Sequence, residues 1–287
     1  MVTRAPVPAL RSLLSVPGSS ERFIGKARDV RADAIAFDLE DPVAAREKVT
    51  ARRLVAVTLA DFPAEGRELW VRPNALDSDL LEADLDAVVV PGLHGLHLPK
   101  VDDADTLVRI DHCLDYLEAV RDLRPGSVRL IGWIESAAGL AAVEDICRAS
   151  SRLDAVSLGS EDYTASLGVT RTREGAELAY ARARIANAAA GIGALDGPET
   201  DFRDVELFER QAELARGVGF GGKICIHPGQ VVAAHRVFAP GEAELAWAAR
   251  VCEVFEGAGS GVVTVDGMMV DRPVHLRALR ILEARGR

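Results

Sequence analysis

Residues 34–41 read Ala-Ile-Ala-Phe-Asp-Leu-Glu-Asp, an apolar run that ends abruptly in acidic side chains. Apolar residues fill most of its positions instead of every second one, which is typical of a parallel strand covered on both faces. Seven other short runs share this pattern, and with Ala34 to Leu39 they predict eight strands. These seven are Ser12 to Val16, Leu69 to Arg72, Leu96 to Lys100, Arg129 to Glu135, Ala155 to Gly159, Gly191 to Asp196 and Lys223 to His227.

The eight runs recur at intervals of roughly 20 to 35 residues, which leaves room for one helix after each run. An open, doubly wound sheet would share this spacing with a closed barrel. The count of eight favours the barrel, as does the absence of a glycine fingerprint for dinucleotides after the first run. The glycines from Gly217 to Gly222 precede a strand instead of following one, so we interpret them as a turn and not as a phosphate loop. The predicted fold class is α/β, a (β/α)8 TIM barrel.

The chain continues beyond the eighth run. Two helical stretches, Gln230 to Phe238 and Glu242 to Glu256, are followed by the apolar run Val262 to Val265 and by a last helix from about Pro273. We therefore expect a barrel domain at residues 1–238. Residues 239–287 are predicted to form a C-terminal helical extension that contributes to a neighbouring subunit's site.

Composition excludes several classes of partner. The formal net charge is −10 and no segment is dense in Lys and Arg, so a nucleic acid partner is not expected. No apolar run reaches the roughly 18 residues of a membrane span, and the N-terminus lacks a signal-peptide pattern. We therefore expect a cytoplasmic protein without a membrane partner. Cys113, Cys147, Cys225 and Cys252 lie far apart among apolar neighbours, which predicts buried free thiols instead of disulfides or a zinc site.

Charged residues terminate most of the predicted strands. The carboxyl ends of all barrel strands meet on one face, where active sites of this architecture lie, so we expect these side chains to converge there. The alternative is that these residues are charged only because loops are polar. It would explain a few of them, but it accounts poorly for so many. The terminating residues are Asp38, Glu40, Asp41, Arg72, Lys100, Glu135, Glu161, Asp162, Asp196 and His227.

Carboxylates gathered in a partly dry cleft favour a bound cation, because like charges raise each other's pKa. Oxygen ligands with no Cys and little His select Mg²⁺, or Mn²⁺, over zinc. Such an ion can chelate a 2-oxo acid and act as a Lewis acid, while Arg72 and Lys100 neutralise negative charge. Two alternatives stay open: Arg72 could form a salt bridge with Glu40 or Asp38, and Lys100 could act covalently as a Schiff base.

Several phrases of the sequence together resemble one family. In order along nearly the whole chain they are Ser15-Val16-Pro17-Gly18, Phe37-Asp38-Leu39-Glu40-Asp41-Pro42-Val43, Val71-Arg72-Pro73-Asn74, Leu98-Pro99-Lys100-Val101, Ile134-Glu135-Ser136, Gly159-Ser160-Glu161-Asp162 and Ile226-His227-Pro228. They resemble the citrate lyase beta-subunit-like proteins, which belong with malyl-CoA and citramalyl-CoA lyases in the HpcH/HpaI aldolase group.

The resemblance implies roles for individual residues. Glu135 and Asp162 look like the two protein ligands of Mg²⁺, and Arg72 resembles the arginine that contacts the keto acid and its reacting oxygen. Glu40 joins Arg72 in the candidate catalytic set.

A second group of residues falls where related enzymes contact CoA. Arg22 and Lys26 occupy places of basic residues that face the CoA phosphates. Their spacing of four also suits one helical face that grips an anion, although a solvated basic face is the alternative. Ser15, where some relatives carry a tyrosine, completes the candidate cofactor-binding set.

The segment Asp266-Gly267-Met268-Met269-Val270-Asp271-Arg272-Pro273 resembles a late family motif. Its second aspartate is supplied to an adjacent subunit as a proton-transfer group, which makes Asp271 a candidate catalytic residue. This role entails a homo-oligomer, for which a trimer or hexamer is expected. The alternative is that Asp271 caps the last helix before Pro273.

The function implied by the resemblance is Mg²⁺-dependent cleavage of a 3-hydroxyacyl-CoA, such as malyl-CoA or citramalyl-CoA. The products are acetyl-CoA, or a homologue, and a 2-oxo acid, so CoA enters as part of the substrate. Three rivals stay open: a citrate lyase subunit acting on a carrier-protein thioester, a thioesterase or malate synthase-like enzyme, and a non-catalytic CoA-binding subunit.

Overall fold

The computed structural model describes residues 10–258 and 261–284 and contains the predicted barrel. Eight parallel strands close on themselves, and the first strand pairs with both the second and the eighth. This closure confirms the TIM barrel and excludes the open, doubly wound sheet. The barrel strands are β1 Ser12–Pro17, β2 Ala34–Asp38, β3 Glu68–Arg72, β4 Gly95–Leu98, β5 Arg129–Ile134, β6 Leu153–Leu158, β7 Gly193–Asp196 and β8 Gly222–Cys225.

Helices connect the strands and cover the barrel. Ser20 caps the first helix by accepting a hydrogen bond from the amide of Phe23, and Asp103 caps the fourth in the same way from Thr106. The helices are α1 Glu21–Ala27, α2 Lys48–Asp61, α3 Leu81–Val88, α4 Ala104–Val120, α5 Ala137–Ala141, α6 Val143–Ala149, α7 Ser160–Leu167, α8 Ala179–Ala188, α9 Val205–Val218 and α10 Pro228–Phe238. The predicted turn after Gly217 is confirmed, because α9 ends there and Gly219 has a positive φ of 116°.

The interior of the barrel is filled by side chains of unequal size. Small alanines on β2 face large indoles on β3 and β5, so that the layers fit together without a pore. The buried cluster comprises Leu13, Ala34, Ala36, Trp70, Ile131, Trp133, Ala155, Leu195 and Ile224. Two of its members, Trp133 and Ile224, also line a cavity at the carboxyl ends of the strands, which makes them the floor of that cavity.

The chain divides into two compact units, the first ending at His235 and the second beginning at Arg236. The second unit contains α11 Glu242–Gly257, an antiparallel pair of strands, β9 Val263–Val265 and β10 Met268–Val270, and α12 Arg272–Glu283. Its own apolar cluster includes Ala248, Val251 and Ala278. The predicted part of residues 239–287 in a neighbouring subunit's site stays a prediction, and the outer limits 1 and 287 lie outside the described residues.

The four cysteines are free, as the sequence predicted. Cys147, Cys225 and Cys252 are buried, whereas Cys113 is exposed. The prediction of a buried thiol is therefore wrong at Cys113, because this position of α4 faces outward although its neighbours in sequence are apolar. Within the described residues, no helix has the length and apolarity needed to cross a bilayer.

Candidate active site

Arg72 is the buried centre of the charged cluster at the mouth of the barrel. Strand pairing places Asp38, the last residue of β2, beside Arg72, the last residue of β3. The guanidinium donates from Nε to Oδ2 of Asp38 at 2.8 Å, and its Nη1 lies 3.2 Å from Oε2 of Glu40. Burial opposes the charge, but these two carboxylates raise the pKa of Arg72 above its usual value. The alternative of a salt bridge with Glu40 or Asp38 is therefore confirmed, with both partners present, and these contacts hold the guanidinium in place.

Glu40 joins Arg72 to Lys100. Its Oε1 lies 3.1 Å from Nζ of Lys100, while Oε2 accepts a hydrogen bond from the amide of Asp41. Burial opposes ionisation of Glu40, but hydrogen bonding to Asp41 and the charge of Arg72 hold its pKa below the usual value. Burial and the neighbouring Glu40 carboxylate raise the pKa of Asp41 to about 6. Because Lys100 is ion-paired and its pKa is raised, it stays protonated, which argues against the Schiff-base alternative.

Glu135 follows directly after β5. Its carboxylate is buried, and few polar contacts offset the loss of water around it. Its Oε1 accepts a hydrogen bond of 2.7 Å from the amide of Lys100. Lys100 has a positive φ of 52°, which is uncommon for a residue with a side chain. Burial, reinforced by the charge of Asp162, raises the pKa of Glu135 to about 8. Among the described residues, no salt bridge joins Glu135 to a cation that would offset this effect.

Asp162 lies in the first turn of α7 and lines two adjoining cavities of about 550 and 480 Å³. Glu135 and Lys100 line the larger cavity, and Arg72 lines the smaller one. Asp162 is exposed to this space, whereas Glu135 is almost covered. The two carboxylates predicted to hold a metal therefore share one cavity beside the arginine.

The chemistry of the side chains in this cavity suits a divalent cation, which Glu135 and Asp162 would hold. The carboxylates of Glu135 and Asp162 are hard oxygen donors that repel each other in a partly dry space, as the raised pKa of Glu135 reflects. Within residues 10–258 and 261–284, no group of three or more His, Cys, Asp or Glu side chains is arranged to hold a metal. This donor set suits Mg²⁺ or Mn²⁺, which commonly keeps water or substrate in its remaining positions.

Gly159, at the end of the loop before α7, is required by the close approach of this loop to β5. A Cβ added there would lie 2.3 Å from Cβ of Glu135 and 2.5 Å from Nε1 of Trp133. Any larger residue would push the metal-site carboxylate or the indole away.

The candidate CoA residues lie on and beside α1. Arg22 and Lys26 are exposed and one helical turn apart. Lys26 lines a groove of about 250 Å³ together with Ser15, Phe23 and His227. Ser15 also lines the smaller active-site cavity and donates a hydrogen bond of 3.1 Å to Oδ2 of Asp38. Ser15 thus connects the groove beside Lys26 to the charged cluster.

Not all strand-terminating charges converge on the site. Asp196 is completely buried and pairs with Arg182 of α8 and with Lys223, so the expectation that it faces the mouth is wrong. These partners belong to a helix and a neighbouring strand, which shows that the end of β7 turns this side chain into the layer between strands and helices. Glu161, in contrast, lines the smaller cavity and lies 2.7 Å from Arg171, while His227 lines the groove beside Lys26 and stacks on Phe202.

Sequence reasoning missed a network that fixes the loops after β2 and β3. Nζ of Lys48 donates to the carbonyls of Leu39 and Glu40 and to Oδ1 of Asn74, at 2.8, 2.7 and 2.6 Å. Asn74 in turn donates from Nδ2 to Asp84 of α3 at 2.6 Å. No local sequence pattern predicts this network, because its members come from three separate segments of the chain.

Trp133 was also missed, although a signal existed. It precedes Glu135 by two residues, and side chains two apart on a strand face the same side. Its ring lies against Arg72, whose Cζ is 4.6 Å from the ring centroid, and stacks on His97 at 4.4 Å. The structure therefore places an aromatic side chain, Trp133, beside the charged residues that the sequence predicted.

Asp271 begins α12 in the second unit. Its Oδ1 accepts a hydrogen bond of 3.3 Å from the amide of Val274, and a proline lies in the first turn of the helix. The capping alternative therefore describes a real contact of this residue. Its predicted proton-transfer role stays a prediction.

The fold and the site together define a class of protein. A closed (β/α)8 barrel presents two carboxylates in one cavity and a buried, ion-paired arginine at the carboxyl ends of its strands, where barrel enzymes bind their substrates. Comparison with known proteins then identifies the family: residues 11–228 match the HpcH/HpaI aldolase/citrate lyase model, and the chain belongs to this family. The resemblance drawn from the sequence is confirmed at this level.

Individual relatives cover almost the whole chain. Citrate lyase subunit beta of Escherichia coli (strain K12) is 41% identical over 277 residues, which span 95% of this chain and 92% of the relative. The mitochondrial citramalyl-CoA lyase of Rattus norvegicus is 34% identical over 95% of this chain and 85% of its own. The crystal structure of the protein CitE from Mycobacterium tuberculosis, in complex with magnesium, acetoacetate and coenzyme A, superimposes with a TM-score of 0.77. It is 30% identical, and the match covers 98% of this chain and 99% of that one. Membership of this family and the likeness to these relatives make the protein a lyase.

Proposed function

We propose that this protein is a Mg²⁺-dependent carbon–carbon lyase that cleaves a 3-hydroxyacyl-CoA into acetyl-CoA, or a homologue, and a 2-oxo acid. The observation that carries the proposal is the pairing of Glu135 and Asp162 in one cavity beside the ion-paired Arg72. The relatives support it, since one is a citramalyl-CoA lyase and another binds magnesium, acetoacetate and coenzyme A.

Glu135 and Asp162 would hold the ion, which supplies Lewis acidity to the oxygens of the hydroxy acid. In cleavage, the hydroxyl group loses its proton to solvent, and the bond between the hydroxyl-bearing carbon and the carbon next to the thioester breaks to leave the C=O group of the 2-oxo acid. The electron pair passes to the thioester as an enolate, which takes a proton to give the acyl-CoA. Arg72 stabilises negative charge on the reacting oxygen, because Asp38 and Glu40 hold its guanidinium in place before the substrate binds.

Asp271 is the proposed donor of the proton to the thioester carbon, supplied by a neighbouring subunit of a trimer or hexamer. Arg22 and Lys26 would attract the CoA phosphates, and the groove that Lys26 shares with Ser15 would lead the thioester arm toward Arg72.

Replacement of either metal-site carboxylate should abolish metal-dependent turnover. In Glu135→Gln and Asp162→Asn, one anionic ligand is lost with little change in shape, so we expect kcat to fall by at least about 100-fold. Release of oxo acid from malyl-CoA, citramalyl-CoA and citryl-CoA is measured with and without Mg²⁺. Calorimetric titration with Mn²⁺ reports the loss of metal binding separately from turnover.

Glu206→Gln is the matched control, because Glu206 lies in the first turn of a helix, as Asp162 does, but it is exposed on α9 and lines neither cavity of the site. It should retain metal binding and turnover. Wild-type oxo acid release that is unaffected by removal of Mg²⁺ with a chelator would overturn the proposal.

A second candidate is a subunit of a citrate lyase complex that acts on a carrier-protein thioester. It is favoured by the 41% identity to citrate lyase subunit beta of Escherichia coli. The two candidates differ in whether the purified chain cleaves free CoA thioesters on its own. Cleavage only after addition of a citryl-loaded carrier protein would favour the second.

A further inference from the structure

We propose that Trp133 is a specificity-determining residue of this site, whose indole limits the size of the oxo acid and supports Arg72. The inference rests on the proposed function and deepens it: the ring restricts the acid to small members such as glyoxylate and pyruvate. Trp133 lies on β5, two residues before Glu135.

Trp133 lies at the floor of the cavity that contains Arg72. Trp133 belongs to the buried cluster inside the barrel and also lines the cavity that contains Arg72 and Asp162. A side chain that is 6% exposed and forms the floor of a cavity sets its depth. A substrate group that faces this floor meets an apolar wall made by Trp133 and Ile224, which accepts hydrogen or methyl better than a carboxylate.

Trp133 also contacts Arg72 directly. The Arg72 guanidinium lies over the indole, with Cζ 4.6 Å from the ring centroid, within the range of a cation–π interaction. The ring also stacks almost parallel on His97, with an angle of 3° between the planes. His97 shares a hydrogen bond of 2.8 Å with Oγ of Ser157, which fixes the imidazole. The arginine therefore rests on an aromatic stack that is anchored inside the barrel.

The indole N–H of Trp133 is buried, and its Nε1 has no hydrogen-bond partner among the described residues. A buried donor without a partner is unfavourable, so this group does not serve stability. A Cβ added at Gly159 would lie 2.5 Å from Nε1 of Trp133 and 2.3 Å from Cβ of Glu135, so the indole and this carboxylate side chain flank the same glycine. Trp133 thus contacts Arg72 and lies beside the same glycine as Glu135.

Selectivity is tested by condensing acetyl-CoA with glyoxylate, pyruvate and 2-oxobutyrate. In Trp133→Phe the floor is lower but still aromatic, so kcat/KM for 2-oxobutyrate relative to glyoxylate should rise by about tenfold. In Trp133→Leu the cation–π contact is lost as well, and kcat/KM for glyoxylate should fall roughly 30-fold below that of Trp133→Phe. If Trp133→Leu fails to fold, as circular dichroism would show, the phenylalanine variant alone decides the size limit.

A binding measurement keeps this inference separate from the proposed function. The chain has three tryptophans, so the fluorescence change on addition of pyruvate and Mg²⁺ can be assigned by substitution. The change should disappear in Trp133→Phe and persist in Trp247→Phe, where the ring lost belongs to the second unit and contacts Arg277.

Active wild type together with unchanged selectivity in Trp133→Phe would refute the inference and leave the lyase intact. An inactive wild type would refute the lyase. In that case a fluorescence change that survives in Trp133→Phe also refutes the role of Trp133, and a change that disappears supports it.

Discussion

At the scale of single residues, Arg72 and Glu135 differ in that only the arginine forms ion pairs within the described part of the chain. Arg72 is held by Asp38 and Glu40, which raise its pKa in spite of burial. Glu135 receives one backbone hydrogen bond, and burial raises its pKa to about 8. A carboxylate in this state gains most from a bound cation, since the ion restores its charge and removes the repulsion from Asp162.

Asp271 is a residue whose two proposed roles can be separated. Asparagine caps a helix about as well as aspartate but cannot transfer a proton. We therefore expect Asp271→Asn to keep the thermal stability of the wild type and to lose about 100-fold or more in kcat. Asp271→Ala should lose the cap as well, which costs about 1 kcal/mol. Wild-type kcat in Asp271→Asn would leave capping as the function of this side chain.

At the scale of elements, the carboxyl ends of β2 and β3 are joined by side chains and not only by strand pairing. The ammonium group of Lys48 uses its three donors on Leu39, Glu40 and Asn74. Asn74 is tied to α3 through Asp84, which also pairs with Arg52 of α2 at 2.7 Å. Two helices therefore determine where the loops that carry Glu40 and follow Arg72 can lie.

Lys48→Met should destabilise this region, because buried acceptors lose a charged donor. We expect the free energy of unfolding to fall by about 2 kcal/mol and kcat to fall with it, since the backbone of Glu40 is released. Thermal unfolding and steady-state kinetics measure the two effects. Arg46→Met is the control, because Arg46 is an exposed cation in the same segment. Equal midpoints for the two variants would show that the network is not required.

At the scale of the whole molecule, buried charges occur at both ends of the barrel. Those at the carboxyl ends of the strands form the site. At the opposite end, Glu118 of α4 accepts hydrogen bonds from the amides of Gly126 and Val128 and from both terminal nitrogens of Arg152. Conventional barrel architecture assigns this face to stability, and the contacts of Glu118 link α4 to the starts of β5 and β6.

The Glu118 network predicts how stability depends on pH. Burial opposes the charge of Glu118, but Arg152 and the two amides lower its pKa to about 2. A lowered folded-state pKa gives stability that is present above the unfolded pKa, near 4.5, and lost as the pH falls toward 2. Glu118→Gln should lower the free energy of unfolding at pH 7 by up to about 3 kcal/mol, and the deficit should shrink below pH 4.5.

Chemical denaturation at several pH values measures this deficit. Glu82→Gln, at an exposed glutamate of α3, is the control and should match the wild type. A deficit that stays constant down to pH 3 would mean that Glu118 acts through packing and not through its charge.

The sequence by itself determined the barrel and which charged residues end its strands. Apolar runs that end in charged residues specify parallel strands, and the carboxyl ends of parallel strands in a barrel must share one face. Arg72, Glu40, Glu135 and Asp162 could therefore be grouped before any coordinates were known. This pattern involves only residues that are neighbours in the chain, so it can be recognised from the sequence without knowledge of the fold.

Only the tertiary structure decided which charges face the cavity and what lies between them. Asp196 looks like the other strand-terminating acids in sequence, but it turns toward Arg182 and Lys223 because two buried cations offer it closer partners than the mouth does. Trp133, Lys48 and Asn74 acquire their roles from residues far away in the chain. Such contacts depend on distances between separate segments, and these distances exist only once the barrel has closed.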